Sequence, residues 1–465
     1  MRAHGGRDAV VTDAGVLSYE ALGNRVAGVA CALRGTGIGP GSVVGIILAD
    51  EVEHLVASLA LLASGARQIT LATHDAPAVQ RTLAARVRTT HVLSDRDEDI
   101  SAGLGAGHLR WPRTVDALNQ DGPSAEGMMY LMTSGTTGDM NIVAFTGAQL
   151  ALQASRNPDY ANGRLLRLAS IEHNNSKRHR LYCAYQGGAN VFRPTGDFNI
   201  AAFCARHGVT CIDISRMHAS DLAGHGDTPL LAGVQLRTGG SPIPFDVRRV
   251  IEQRVTPLLF VRYGATECGT IATAGPGEHD EAESVGQPAP GVTVEIVDAD
   301  GQLRPTGESG HIRLRAGGVA SSYLDSAEEA KRRFRDGWFW PGDIGMLRAD
   351  GSLVVQGRQD DMMILNGINI FPNEIERVLE GHPAVLVAAA LPLVSPVHGQ
   401  IPVAAVELRP GATVARSELL MFAREQLALR APRRVLIFDA LPRNSEGKVL
   451  RREIAKKFVP TGSAD

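Results

Sequence analysis

Residues 128–145 read "MMYLMTSGTTGDMNIVAF": an apolar run, then a loop of glycines and hydroxyls, then a second apolar run. Thr133, Ser134, Thr136 and Thr137 offer hydroxyls, and Gly135 and Gly138 let bare backbone N–H groups approach a phosphate closely. It is not a Walker A loop, because no Gly-Lys pair follows at the required spacing. Taken alone, the stretch fits a polar turn as well as a phosphate-binding loop.

The flanking sequence gives the loop its setting. Toward the N-terminus, apolar residues at helical spacing alternate with short β-branched runs: a helix before "GTGIGPG", a helix around 52–64, the strand "RQITL", a helix over 76–86 and the strand "THVLS". Such alternation predicts mostly parallel sheets flanked by helices. "GTGIGPG" follows a helix rather than a strand, so it is read as a turn and not as a dinucleotide loop. From about residue 283 short alternating strands separated by Gly, Pro and Asp predict a small β-barrel or meander. After Arg358 an α+β texture returns, with a helix at "PNEIERVLEG", strands at "AVLVAAALPL" and "IPVAAVEL", and a helix over 416–429. The expected fold is α/β. A large N-terminal domain (1–358) of helix-flanked, mostly parallel sheets carries a barrel-like subdomain, and a smaller, mobile α+β domain (359–465) follows.

Composition narrows the partners. With 47 Lys and Arg against 50 Asp and Glu, the formal charge of -3 offers no electrostatic reason for a nucleic acid or an anionic membrane. The greasiest segment, "LVASLALLASGA" at 55–66, is too short to span a bilayer. Five cysteines without a C-x-x-C pair indicate neither a disulfide framework nor a zinc knuckle, so a soluble chain in a reducing cytoplasm is expected.

Four further stretches follow the loop in order: "GGSPI" (239–243), "RYGATECG" (262–269), "WFWPGDIG" (338–345) with "GRQDDMMILNGINIFPNEIE" (357–376), and "LPRNSEGKVLRREI" (441–454). With them the chain resembles, over nearly its whole length, the adenylate-forming superfamily of acyl-CoA synthetases, carrier-protein adenylation domains and luciferases. The resemblance implies that the loop binds ATP phosphates and that Gly239, Gly240 and Ser241 present backbone to the adenine. Tyr263, followed by Gly264, would stack on the base. Thr266 would bond a phosphate oxygen and Glu267 would hold Mg²⁺, a cation that prefers oxygen ligands. Asp343 would accept the ribose hydroxyls, with Arg358 beside it. Lys448 would be the catalytic lysine, a cation aimed at the α-phosphate as charge develops there. Asp360 would be the hinge about which the C-terminal domain turns between two half-reactions.

The chain departs from the family pattern in three places. Met140, Asn141 and Ile142 stand where relatives carry Pro-Lys-Gly, and Ile364 replaces a lysine. Where the acyl pocket of relatives is apolar, residues 170–188 read "SIEHNNSKRHRLYCAYQGG". Glu172, His173, Asn174, Lys177 and Arg178 put charge where a fatty tail would lie. Two readings stand: a solvated basic helix face, or a polar pocket for a small or hydrophilic anion. The functional expectation is an ATP- and Mg²⁺-dependent ligase that activates a small or polar carboxylate as its adenylate, releases pyrophosphate and passes the activated group to coenzyme A, a carrier-protein thiol or an amine. One alternative is an ATP-dependent diazotase activating nitrite for transfer to an aromatic amine. Another is a nucleotide-binding pseudoenzyme, for which the missing loop lysine speaks.

Overall fold

The computed structural model describes residues 2–95, 103–112, 126–133, 140–157, 160–224, 231, 233–365, 368–395, 399–443 and 449–458. Among them the strands form four sheets. The first is six-stranded, in the order Gly107–Arg110, His91–Ser94, Val43–Ile47, Arg67–Thr70, Met128–Met132, Ile142–Thr146, and parallel until the last pair. Val43–Ile47, "VVGII", is buried along its whole length, as a central strand covered on both faces must be. The helix that follows, Glu51–Ala63, starts where the Asp50 carboxylate accepts the Val52 and Glu53 N–H groups, both at 2.9 Å.

The second sheet is nine-stranded. Its parallel centre runs Leu259–Ala265, Gln235–Gly239, Cys211–Ile214, Arg164–Arg167, Ala189–Val191, Asp8–Thr12, and antiparallel strands close both edges. One apolar cluster joins the two sheets through the helices Tyr19–Gly35, Glu51–Ala63 and Asn174–Gln186, drawing in Val10, Leu22, Leu55, Leu131 and Leu165. Burial on that scale, at about 25 cal/mol per Å² of apolar surface, is the main force locking the layers together.

A six-stranded antiparallel sheet built around Val292–Val297 and Gly310–Ala316 corresponds to the expected barrel-like part. Its last strand, Leu353–Arg358, ends next to Met363–Leu365, which belongs to a separate five-stranded sheet. That sheet carries the helices Pro372–Glu380 and Arg416–Leu427 and has its own apolar cluster. The observed elements differ from the expected ones by a residue or two at their ends, where capping rather than periodicity sets the boundary. Among the described residues no helix is long and apolar enough to cross a membrane.

Candidate active site

A cleft of about 2330 Å³ lies at the C-terminal ends of the nine-stranded sheet's parallel strands and extends to the C-terminal sheet. This is where open α/β sheets place their ligands, because loops diverge there and backbone N–H groups and side chains converge. Gly239 closes the strand Gln235–Gly239, and a Cβ on it would meet the Arg262 carbonyl at 2.9 Å. Gly240 takes φ +83°, a conformation that favours glycine. Gly239, Gly240, Ser241, Tyr263, Gly264, Thr266 and Glu267 all line this wall.

Across the cleft stand Asp343, from the strand Asp343–Leu347, and Arg358. The Tyr263 hydroxyl donates to Asp343 Oδ2, and the Arg358 guanidinium lies 3.5 Å from Asp343 Oδ1. Burial raises the Asp343 carboxyl above its ordinary range, opposed by Arg358. Burial, and after it the Asp343 charge, pushes the Tyr263 phenol well up. Four residues past Tyr263 the chain turns Glu267 inward, where its carboxylate accepts the Tyr323 hydroxyl at 2.7 Å. Glu267 is a buried carboxylate on the cleft wall, a fitting donor for a hard divalent cation that takes its other ligands from phosphate and water.

The phosphate-loop candidate is closed at its base. Thr133 N–H donates to the Asn141 carbonyl at 2.8 Å, and Asn174 Nδ2 donates to the Met132 carbonyl at 2.8 Å. Thr133 and Asn141 line the cleft. Ser134, Gly135, Thr136, Thr137 and Gly138 lie outside the described residues. At the downstream edge Arg86 donates to the Met140 carbonyl at 2.6 Å and pairs with Asp325 at 2.6 Å.

The run "KRHR" is not a solvated face. It sits in the helix Asn174–Gln186, and Lys177, Arg178, His179 and Arg180 are all buried. His173 and Asn174 line the cleft, but Glu172 and Lys177 are not on its wall. Glu172 accepts the Thr73 N–H at 2.7 Å, the Thr73 hydroxyl at 2.9 Å and lies 3.2 Å from His74 Nδ1, tying two loops together. Lys177 donates to the Thr70 hydroxyl at 3.1 Å, and burial pulls its ammonium down to about 7. His54, 3.3 Å from the same hydroxyl, is pulled to about 3 by burial and then by Lys177. Lys177 N–H donates to the His173 carbonyl at 2.9 Å as helical spacing predicts, yet the side chains part, His173 to the cleft and Lys177 to Thr70, because spacing does not tell which neighbours cover a helix.

The strands supply residues that sequence patterns missed. Asp213 is the register partner of Arg167 on one side and of Arg237 on the other. Arg262, two positions past Arg237's neighbour Phe260, shares their face by the two-residue period of a strand. All four line the cleft. Arg167 pairs with Asp213 Oδ2, and Arg262 Nη1 lies 4.0 Å from Asp213 Oδ1. The Tyr160 hydroxyl donates to Asp213 at 3.3 Å, accepts from Arg262 at 3.1 Å and lies 2.8 Å from His179 Nδ1. Burial, then the charges of Arg167, Arg262, Arg178 and Arg237, hold His179 well below the ordinary imidazole range, and so neutral. The available signal was a charged residue near the end of each of several apolar strands.

At the other end of the cleft Asp360 Oδ2 accepts from Arg333 Nη2 at 3.1 Å, with Arg358 at 3.8 Å. Arg216, on the large sheet's side, pairs with Glu380 of the C-terminal unit, whose side chain is 6% exposed. Ile364 is half exposed. Lys448 lies outside the described residues. Arg443 and Val449 on either side of that stretch form an antiparallel bridge, and both line the cleft.

Comparisons with known proteins agree with this geometry. The AMP-binding enzyme family matches residues 1–324, and the AMP-binding enzyme C-terminal domain matches residues 374–448. The chain is 36% identical to a 2-succinylbenzoate–CoA ligase of Geobacillus kaustophilus, over 48% of this chain and 45% of that protein. It is 32% identical to a long-chain-fatty-acid–CoA ligase of Yersinia pestis, over 49% of this chain and 41% of that protein, so these two matches span less than half of each relative. A fatty acid–[acyl-carrier-protein] ligase, ScoC, of Streptomyces coeruleorubidus is 29% identical over 97% of this chain and 93% of its own. Among solved structures, ATP-bound MatB from Rhodopseudomonas palustris superposes with a TM-score of 0.86 at 25% identity, covering 98% of this chain and 96% of that one. With its first 324 residues and its C-terminal segment both matched, the chain belongs to the AMP-binding enzyme family.

Proposed function

We propose that this chain is an ATP-dependent ligase that joins a small or polar acid to AMP and then passes the acid to an acceptor. The observation that carries the reading is the convergence of Tyr263, Asp343, Glu267 and the base of the phosphate loop on one cleft. In the first step an acid oxygen attacks the α-phosphorus in line, the bond to the bridging oxygen of the β-phosphate breaks, and pyrophosphate leaves. In the second, a nucleophile such as the thiol of coenzyme A or of a carrier protein attacks the acyl carbon, gives up its proton, and AMP leaves.

The roles follow from the chemistry of each group. Asp343 accepts the ribose hydroxyls in place of the Tyr263 hydroxyl, and Arg358 holds the carboxylate ionised against its burial. The Tyr263 ring packs on the adenine, and Gly239, Gly240 and Ser241 border it. Ser134, Gly135, Thr136, Thr137 and Gly138 cradle the phosphates with Thr133. Glu267, with Thr266 beside it, would hold Mg²⁺, which supplies neutralisation of phosphate charge. Lys448 supplies a further cation to the reacting phosphate, so Asn141 need not. We place the domain boundary at 358/359 and the hinge at Asp360.

A second reading, favoured by the arginine row, takes nitrite as the acid. Nitrite oxygen would attack the α-phosphorus, an aromatic amine nitrogen would then take the nitroso group as AMP leaves, and loss of water would give a diazonium ion. The test is a panel of acids with nitrite included, each incubated with ATP, Mg²⁺ and either coenzyme A or an aryl amine. Pyrophosphate release and product mass are the readouts. Release with a carboxylate and a thioester product supports the first reading; a diazonium or its azo-coupled product supports the second. No release with any acid overturns both and leaves nucleotide binding without catalysis.

A further inference from the structure

We infer that Arg167, Arg178, Arg237 and Arg262, with Asp213 among them, form a receptor for a compact oxyanion, so that the acid this enzyme activates is small and carries no apolar tail. The inference rests on the ligase reading and specifies the acid side of the same cleft. Register brings the group together: Arg167, Asp213 and Arg237 form one row across three parallel strands, and Arg262 stands on the same face one strand further on. Arg178 enters from the helix, its Nη1 fixed on the Thr266 carbonyl at 2.6 Å, next to the residues assigned to phosphate and metal.

Charge decides between a structural and a receptive role. Elsewhere in this domain buried arginines are consumed by the fold: Arg156 donates to the Cys268 and Gly317 carbonyls, and Arg180 is spent on Glu51 at 3.1 Å and the Val191 carbonyl at 3.2 Å. The row has fold partners too, Arg167 donating to Ser176 Oγ at 3.1 Å and Arg237 to Gln235 Oε1 at 2.5 Å, but it lines the cleft, where one carboxylate, Asp213, is shared by Arg167 and Arg262. Guanidinium groups gathered around one carboxylate repel one another, and an anion arriving among them relieves that repulsion. The Tyr160 ring stiffens the site: Arg237 stacks over it at 4.7 Å and Arg262 at 5.7 Å. Neutral His179, beside the Tyr160 hydroxyl, adds a hydrogen-bonding group without adding charge. An alkyl or aryl tail entering here would strip water from guanidinium groups and give nothing back. A nitrite ion or a short dicarboxylate presents the oxygens these arginines bind in pairs.

The experiment is calorimetric titration of the full chain, loaded with a non-hydrolysable ATP analogue and Mg²⁺ so that the phosphate site is filled. The probes are nitrite, malonate and succinate, with hexanoate and benzoate for contrast. At least one compact probe should bind, hexanoate and benzoate should not, and Arg237→Met should weaken the compact probe at least tenfold with the analogue's affinity within twofold. Arg262→Gln, at a partly exposed position, should do the same and serves if the Arg237 variant does not fold. Nitrite binding alone, or malonate and succinate binding alone, assigns the oxyanion's source. Absence of binding by all three compact probes, unchanged affinity in the variants, or tighter binding of hexanoate or benzoate would overturn the receptor. Pyrophosphate release measured in parallel with ATP separates the two claims: binding without release sustains the receptor and removes the ligase reading, and release driven by hexanoate or benzoate does the reverse.

Discussion

Asp213 and Arg237 are register partners in adjacent parallel strands, Cys211–Ile214 and Gln235–Gly239, and on Asp213's other side its partner is Arg167. A single aspartate therefore stands between two arginines at the C-terminal rim of the sheet, where ligands of such sheets bind. Several properties of the protein follow from that placement and from the groups around it.

Removing the aspartate's charge leaves arginine buried without its counter-ion. Arg167 and Asp213 are each more than nine-tenths buried, so Asp213→Asn should lower unfolding free energy by about 3 kcal/mol. Urea denaturation would show it, and added malonate or nitrite should recover part of the loss. A midpoint equal to wild type would mean the pair contributes little.

Lys177 makes stability depend on pH. Burial lowers its ammonium from 10.5 to about 7, so between those values the unfolded chain holds a proton that the folded chain does not. Stability from this group is therefore greatest above about 10.5 and is lost as pH falls through about 7. Relative to Lys177→Met, the wild type should gain on the order of 2–3 kcal/mol between pH 6 and pH 9. Parallel denaturation curves at the two pH values measure the difference; an equal offset at both would show that the ammonium is solvated.

In the proposed nucleotide complex the ribose would displace the Tyr263 hydroxyl from Asp343. Tyr263→Phe should leave ATP affinity within about threefold, because the lost bond is one the nucleotide replaces. Asp343→Asn should weaken ATP about tenfold or more, since a charge-assisted acceptor is lost. Fluorescent-nucleotide titration distinguishes them, and equal losses in both variants would assign Tyr263's hydroxyl a direct role.

Glu267 and Tyr323 separate in the same way. Glu267→Gln should cut pyrophosphate release by about a hundredfold through the loss of a charged ligand at the phosphates. Tyr323→Phe, which removes only the 2.7 Å bond that holds the carboxylate, should cost a few-fold at most. Comparable losses would make Tyr323 part of the reaction.

Much of this was legible in the sequence because it depends on local pattern. Alternating helical and β-branched runs pointed to the mostly parallel sheets, and Gly239 and Gly240, which the family resemblance singled out, line the cleft, Gly240 at φ +83°. Tyr263, Glu267, Asp343 and Arg358 all line one cleft. The arginine-lined part of the cleft was legible only as an excess of charge. Glu172 and Lys177 lay in the charged run but face other segments, Thr73 and Thr70; the helix is buried from Ser176 to Ala184 and so offers no polar stripe there to read. Arg167, Asp213, Arg237 and Arg262 lie tens of residues apart and become neighbours through strand register alone, which a single sequence does not encode locally.

The most direct measurement is acid-dependent exchange of labelled pyrophosphate into ATP by the full chain, alongside Lys448→Ala. Label should enter ATP only when a compact oxyanion acid is present, and the alanine variant should be slower by about a hundredfold. No exchange with any acid, or exchange at the full rate without the Lys448 ammonium, would contradict the account.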